Sequence, residues 1–396
     1  MKKSLFLLSA LSIVLLLGAC SKQSPISSEM NKPAKNELTK NSTDLSESDM
    51  ITVMTRNIYV GANVDVILSA TNPNDIPILA AQAFQEMQNT KFPERALALA
   101  KEIFETKPHL VGLQEVSLFR IQTPGDAVYG GTVPATVVYQ DFLEILMTAL
   151  EEYGLQYEIA GIIENADVEI PMLTGQNPMT FSDIRLTDHD VVLARNDVQI
   201  SEVMTKRYTI NLVAPDVGIE VPRGFVALTA TINGNSFRFA NTHLEVAWNE
   251  DALKIQMAQA QELLMHMMPV KNMPVILAGD FNSPAPHGET YRMVTARNKY
   301  TDVWTRNEWD DNPDGFTYGH DPDLMNEESA FWERIDFIFV RNRIPGHRTP
   351  VFGPFYGTVV GDEQEDRTPS GLWPSDHGGV VAWMHVSMPS RFFAQN

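Results

Sequence analysis

Val275-Ile276-Leu277-Ala278-Gly279-Asp280-Phe281-Asn282 is the stretch on which the reading of this chain turns. Its four leading residues form a short apolar run of the kind that makes a strand buried on both faces. The run ends in glycine, a carboxylate and an amide. On its own this is a strand followed by an Asx turn.

Working outward, the same pattern recurs. Ile51 to Thr55, His109 to Glu115, Asp190 to Arg195, Phe225 to Asn233, Ser236 to His243, Ile335 to Val340 and Val380 to Trp383 are further apolar runs. Gly234 joins two of them as a hairpin turn. Between the strands lie helical periods over residues 94–106, Tyr139 to Tyr153 and Glu250 to Met268. The last carries Leu253, Met257, Ala260, Leu264 and Met267 on one stripe, and Pro269 closes it. Strands and helices mix without strict alternation, which predicts an α+β or layered α/β domain. Composition does not break between residues 50 and 388, so one domain is expected there, with a tail over residues 389–396.

The chain has 396 residues and a net charge of −20, from 30 basic and 50 acidic side chains. Such a field disfavours nucleic acid as a partner, because that affinity comes from Lys and Arg neutralising phosphates. A single cysteine, Cys20, excludes an internal disulfide and a Cys-based zinc site. Met1-Lys2-Lys3, an apolar run from Leu5 to Leu17 and Leu17-Gly18-Ala19-Cys20 have the form of a secretory signal over residues 1–19. The run falls short of the ~20 residues of a spanning helix. Leu17-Gly18-Ala19-Cys20 resembles a bacterial lipobox, which implies a lipid on Cys20 and a membrane-anchored, exported protein. In a Gram-negative source the outer membrane or cell surface is expected, since Ser21 does not resemble an inner-membrane retention signal. Residues 20–49, polar and without apolar period, are expected to be a flexible tether.

Polar residues of one kind close the apolar strands: Asn57, Glu115, His243, Asp280 with Asn282, Asp336, and Asp376 with His377. Carboxylates and amides bind hard cations through oxygen, and histidines bond phosphoryl oxygens or carry protons. Each residue has a plainer role open to it. Asn57 suits a turn, His243 a satisfied core position, and Asp336 a cross-pleat pair with Arg334. It is the ordered set that points to phosphoester chemistry.

Taken together these motifs resemble the endonuclease/exonuclease/phosphatase superfamily over roughly residues 50–388. They are Thr55-Arg56-Asn57-Ile58, Leu113-Gln114-Glu115-Val116, Asn241-Thr242-His243-Leu244, Gly279-Asp280-Phe281-Asn282, Arg334-Ile335-Asp336-Phe337 and Ser375-Asp376-His377. The resemblance implies a four-layer sandwich of two mostly antiparallel β-sheets flanked by helices. It implies a Mg²⁺-dependent catalytic domain, with Mn²⁺ as the alternative ion. Glu115 would be the principal metal ligand, with Asn57 and Asp376 supporting it. Asp280 would orient or deprotonate the attacking water, and Asn282 would bond a phosphate oxygen. His377, polarised by Asp336, would contact the scissile phosphate, and His243 would be a second contact or proton donor. Where some relatives carry an acid, this chain has Tyr59. A mid-chain phosphate contact would fall to Arg185, within Asp183-Ile184-Arg185, or to Asp190, although Arg185 suits an ordinary surface position at least as well.

The expected substrate is a phospholipid head group or small phosphoester, and the expected state is a monomer. The alternatives are an extracellular nuclease, which would need a basic rim beside the motifs, and a non-catalytic binding lipoprotein. The near-complete residue set weighs against the last.

Overall fold

The computed structural model describes residues 50–214, 218–307, 314–344 and 351–386. The expected signal segment, Cys20, the expected tether and the tail over residues 389–396 lie outside the described residues.

The chain enters on β1 (Met50–Asn57) and passes through α1 (Asp65–Leu68), α2 (Ile76–Asn89) and α3 (Phe92–Thr106) to β2 (Leu110–Gln114). Then follow β3 (Leu118–Gln122), β4 (Val137–Asp141), α4 (Phe142–Glu152) and a long hairpin of β5 (Tyr157–Gln176) and β6 (Met179–Arg195). The next strands are β7 (Gln199–Arg207), β8 (Leu212–Ala214), β9 (Ile219–Val221), β10 (Gly224–Ile232) and β11 (Asn235–His243). After α5 (Glu250–Met267) come β12 (Val275–Asp280), α6 (Glu289–Thr295) and β13 (Thr301–Asp302). The last strands are β14 (Asp336–Arg341), β15 (Phe352–Val360) and β16 (Gly379–Val386).

One sheet runs β15-β16-β1-β2-β6-β3-β4, with β5 along the other edge of β6; the second runs β13-β14-β12-β11-β10-β7. Pairing is antiparallel except at β1/β2 and at β11/β12, one parallel pair in each sheet. Both parallel pairs need a helical crossover, which α2 and α3 supply in one case and α5 in the other.

Alternation along the strands builds the layers. In β12, Ile276 and Ala278 face the first sheet together with Ile51, Val53 and Val192. Val275 and Leu277 face the other way, onto Ala260, Leu263 and Met267 of α5. On the outer face of the first sheet, Met54, Val111 and Leu193 pack against α3 and α4, where Phe92 and Phe142 stack at 3.6 Å. Helix, sheet, sheet and helix make the expected four layers. With both faces of the central strands covered, their unbroken apolar runs follow directly.

Three expectations change in detail. Residues 139–141 belong to β4, and the helix begins at Phe142, where Asp141 caps it by accepting from the Glu144 N–H at 3.1 Å. The strand expected from Asp190 is the end of the much longer β6. In α5 the buried stripe is rotated. It runs through Ala252, Gln256, Gln259, Ala260, Leu263 and Met267, because both glutamines are bonded to backbone groups of neighbouring loops. Among the described residues, no helix is long and apolar enough to cross a membrane.

His109, at the entrance to β2, accepts the Thr52 N–H on Nδ1 at 3.1 Å. Burial, aided by Arg195, holds its pKa down at about 4. Between pH 6.5 and 4 the unfolded chain therefore binds a proton that the folded chain refuses, and stability is lost as pH falls through this window. His109→Gln keeps an acceptor but cannot titrate. Urea midpoints measured at pH 7.5 and pH 5 should fall less in the variant; equal losses would remove His109 as the cause.

Candidate active site

Asn57, His243 and Asp280 are the last residues of β1, β11 and β12, and Glu115 directly follows β2. The two parallel pairs thus deliver four of the selected side chains to one rim. Asp336 and His377 arrive differently from the expectation that all these groups close strands. Asp336 opens β14, antiparallel to β12 and opposite Asp280, and His377 stands just before β16, antiparallel to β1. A strand that starts at this rim serves as well as one that ends there.

On the first sheet's side, Asn57 Nδ2 donates to Glu115 Oε1 at 2.9 Å and to Asp280 Oδ2 at 3.2 Å. Asn57 Oδ1 accepts the Tyr59 N–H at 3.0 Å, and Glu115 Oε2 accepts the Val60 N–H at 2.7 Å. Tyr59, standing where some relatives carry an acid, sends its hydroxyl to Pro322 O at 3.0 Å and is a wall residue. Glu115 has φ 58 and Tyr59 φ 59, left-handed values that turn the chain sharply at the strand ends. Asn282, at φ 48, repeats this on the second sheet. Gly279 is obligatory, since a Cβ there would stand 2.0 Å from Thr242 O.

His377 Nδ1 lies 2.9 Å from Asp336 Oδ2, and Thr317 Oγ1 donates to the same oxygen at 2.7 Å. Asp336 therefore does not pair with Arg334, whose guanidinium holds Asp302 at 2.7 Å. His377 Nε2 is 3.7 Å from Asp280 Oδ2, and His243 Nε2 is 3.5 Å from that oxygen. Asn282 Nδ2 lies 3.1 Å from His243 Nε2 and donates to Leu244 O at 2.9 Å. Asp376 is near, its Oδ1 4.0 Å from His377 Nε2.

The electrostatics separate the two histidines. Burial works against a charge on His377, but Asp336, Asp376 and Asp280 outweigh it and raise the ring to about 10. Burial, then Arg223 and His377, holds His243 well below the usual imidazole range. Burial and the neighbouring Asp336 push Asp280 up to about 7, in the range of a general base.

The donor set fits a hard divalent cation. Burial raises Asp376 to about 7, and the Glu115 carboxylate adds to it; burial and the same acids raise Tyr59. This is carboxylate oxygen gathered beside an amide, with negative charge in excess. Asp280, Asp336 and His377 also present ligand atoms within 4.8 Å of one another, a spacing that could hold a metal. Both sets are already engaged in hydrogen bonds, Asp336 with His377 on one side and Glu115 with Asn57 on the other, and the carboxylates of Glu115 and Asp376 add oxygen donors beside that group.

Arg185 is not brought to this group. It lies in β6, bonded and ion-paired to Asp167. Asp183 accepts the Asp126 and Ala127 N–H groups, at 2.6 and 3.1 Å, and anchors a loop. Asp190 does come near, buried beside Asp188 and Arg223. Sequence reading missed Arg223, Thr317 and Tyr318, whose ring is 4.8 Å from that of His377. Thr317 and Tyr318 sit in an unpatterned loop, and only the hydroxyl and aromatic side by side hinted at them.

The fold and this donor set define a phosphoester hydrolase. A profile of the Endonuclease/Exonuclease/phosphatase family matches residues 63–377, and the chain belongs to that family. A family protein of known structure from Bacteroides thetaiotaomicron is 17% identical, with TM-score 0.50, over 86% of this chain and 98% of its own. One from Beutenbergia cavernae is 19% identical, also with TM-score 0.50, over 85% and 72%. A mannosyl-6-phosphatase from Bacteroides thetaiotaomicron is 18% identical, with TM-score 0.48, over 84% and 99%. No curated protein matches.

Asp336→Asn should leave His377 without its charged partner and reduce turnover about 10²-fold or more, with the folded state retained by circular dichroism. Turnover within a factor of about two of wild type would separate the pair from the chemistry.

Proposed function

We propose that this protein is a Mg²⁺-dependent hydrolase of a phospholipid head group or another small phosphoester, exported and held at a membrane by a lipid on Cys20. The observation that carries the chemical part is a convergence. Asn57 Nδ2, His243 Nε2 and His377 Nε2 surround Asp280 Oδ2 at 3.2, 3.5 and 3.7 Å. Donors aimed at one point suit phosphoryl oxygens that gain charge during cleavage. Asp280 stands among them as the group to take a proton from an attacking water, and the Asn282 backbone N–H holds its Oδ1 at 2.8 Å. His377, kept charged by Asp336, binds a phosphoryl oxygen. Mg²⁺ at Glu115, Asn57 and Asp376 would supply charge at the departing oxygen.

The acidic balance of the chain favours a small or lipid substrate over nucleic acid. So does the company of the nearby arginines: Arg56 pairs with Glu102 at 2.8 Å, and Arg95 is spent on backbone carbonyls.

The purified protein should hydrolyse sphingomyelin, a phosphatidylinositol phosphate, an inositol phosphate or bis-nitrophenyl phosphate with Mg²⁺. EDTA should stop it, and Mg²⁺ or Mn²⁺ should restore it. Faster cleavage of plasmid DNA would overturn the substrate class, and hydrolysis indifferent to EDTA would overturn the metal. Glu115→Gln should abolish metal-dependent turnover. Cys20→Ser should move the protein from the membrane fraction to the soluble one; retention in membranes would refute the lipid anchor.

A further inference from the structure

His243 does not have the kind of partner that His377 has. Its Nδ1 lies 3.0 Å from Nη1 of Arg223, which is also 3.7 Å from Asp188 Oδ2. The Arg223 backbone is fastened on both sides, its N–H to Asn211 Oδ1 at 3.0 Å and its carbonyl to the Tyr208 N–H at 2.8 Å. Only 13% of its side chain is exposed, and among the described residues its Nε has no hydrogen-bond partner.

A guanidinium carries donors and no acceptor, and it stays charged at any working pH. The nitrogen it meets must offer a lone pair, so His243 Nδ1 carries no proton. The single ring proton is then on Nε2, the nitrogen that faces Asp280. The Asn282 amide group beside Nε2 is also a donor, committed to Leu244 O. That leaves the amide turned to Leu244 O, and a second ring proton, on Nδ1, would set N–H against the guanidinium N–H. The charged groups around Arg223 hold it in place: Asp188 and Asp190 from β6, Glu245 beyond β11, and Glu115 beyond β2. Asp65 of α1 senses both Arg223 and Glu115.

We propose that Arg223 is a positioning residue that fixes His243 as the neutral tautomer with its proton on Nε2. His243 then gives a hydrogen bond to a phosphoryl oxygen without surrendering a proton. The tautomer follows from geometry; its consequence for turnover rests on the hydrolase reading above.

The test is ¹⁵N NMR of the histidine-labelled full chain at pH 7.5, with His243 assigned through His243→Gln. Wild type should show a protonated Nε2 and a bare Nδ1. In Arg223→Met the ring should leave that state, and Arg223→Lys should restore part of it. On the best phosphoester substrate, Arg223→Met should lower kcat about 10²-fold with KM changed less than about threefold. A proton on Nδ1 in wild type, or ring signals unchanged in Arg223→Met, would overturn the proposal. So would a rise in KM at constant kcat, which would make Arg223 a direct substrate contact. If wild type turns over no phosphoester while the ring signals are as expected, the hydrolase reading fails and the tautomer stands.

Discussion

One amide registers the two sheets. Asn241 of β11 reaches across the sandwich and donates to Leu113 O at 2.9 Å and Val191 O at 3.1 Å, on β2 and β6 of the other sheet. Its Oδ1 accepts from Gln114 Nε2 at 2.7 Å, and Gln114 also donates to Thr55 Oγ1 at 3.1 Å. Gly112 leaves the room, since a Cβ there would fall 2.4 Å from Asn241 Oδ1. A buried amide is costly unless bonded, so sliding one sheet over the other would strand several polar groups at once. The candidate site depends on this register. Asn57 and Glu115 come from one sheet, and His243 and Asp280 from the other.

A second constraint holds the loops. Arg56 pairs with Glu102 and also bonds the backbone carbonyl of His377. Arg95 bonds the carbonyls of Ile58, Tyr59, Thr90 and Pro374. Both guanidiniums are fully buried, and a buried charge is tolerable only when its donors are used. The segment that ends in Asp376 and His377 is therefore tied to the first sheet by permanent cations. Ser375 Oγ completes the tie by donating to Asn57 O at 2.8 Å. These arginines shape the site without entering it.

Much of this was legible in the chain. Buried central strands show as unbroken apolar runs because both faces are covered, and the polar groups that end or precede them mark one rim. What the runs could not reveal is pairing across the gap. Nothing local tells that Asn241, in the middle of an apolar strand, spends its amide on the opposite sheet. Nor does it tell that Gln256 and Gln259 face inward on α5 to hold the loops bearing Asn282 and Glu245. The resemblance offers Arg185 for a mid-chain contact, yet β6 is long enough to carry it away toward Asp167. Arg223, with no pattern around it, reaches His243 only through the folding of β10 beside β11.

The result is a site in which two identical side chains are made unlike. His377 and His243 both turn Nε2 toward one oxygen of Asp280. Behind His377 stands a carboxylate, and behind His243 a guanidinium. Two imidazoliums this close would repel each other across the one carboxylate they share. Giving one histidine an anion and the other a cation resolves that conflict. Burial and Asp336 push Asp280 up toward neutrality while the His377 ring pulls it back, so one carboxylate stands between two imidazoles whose environments drive them apart.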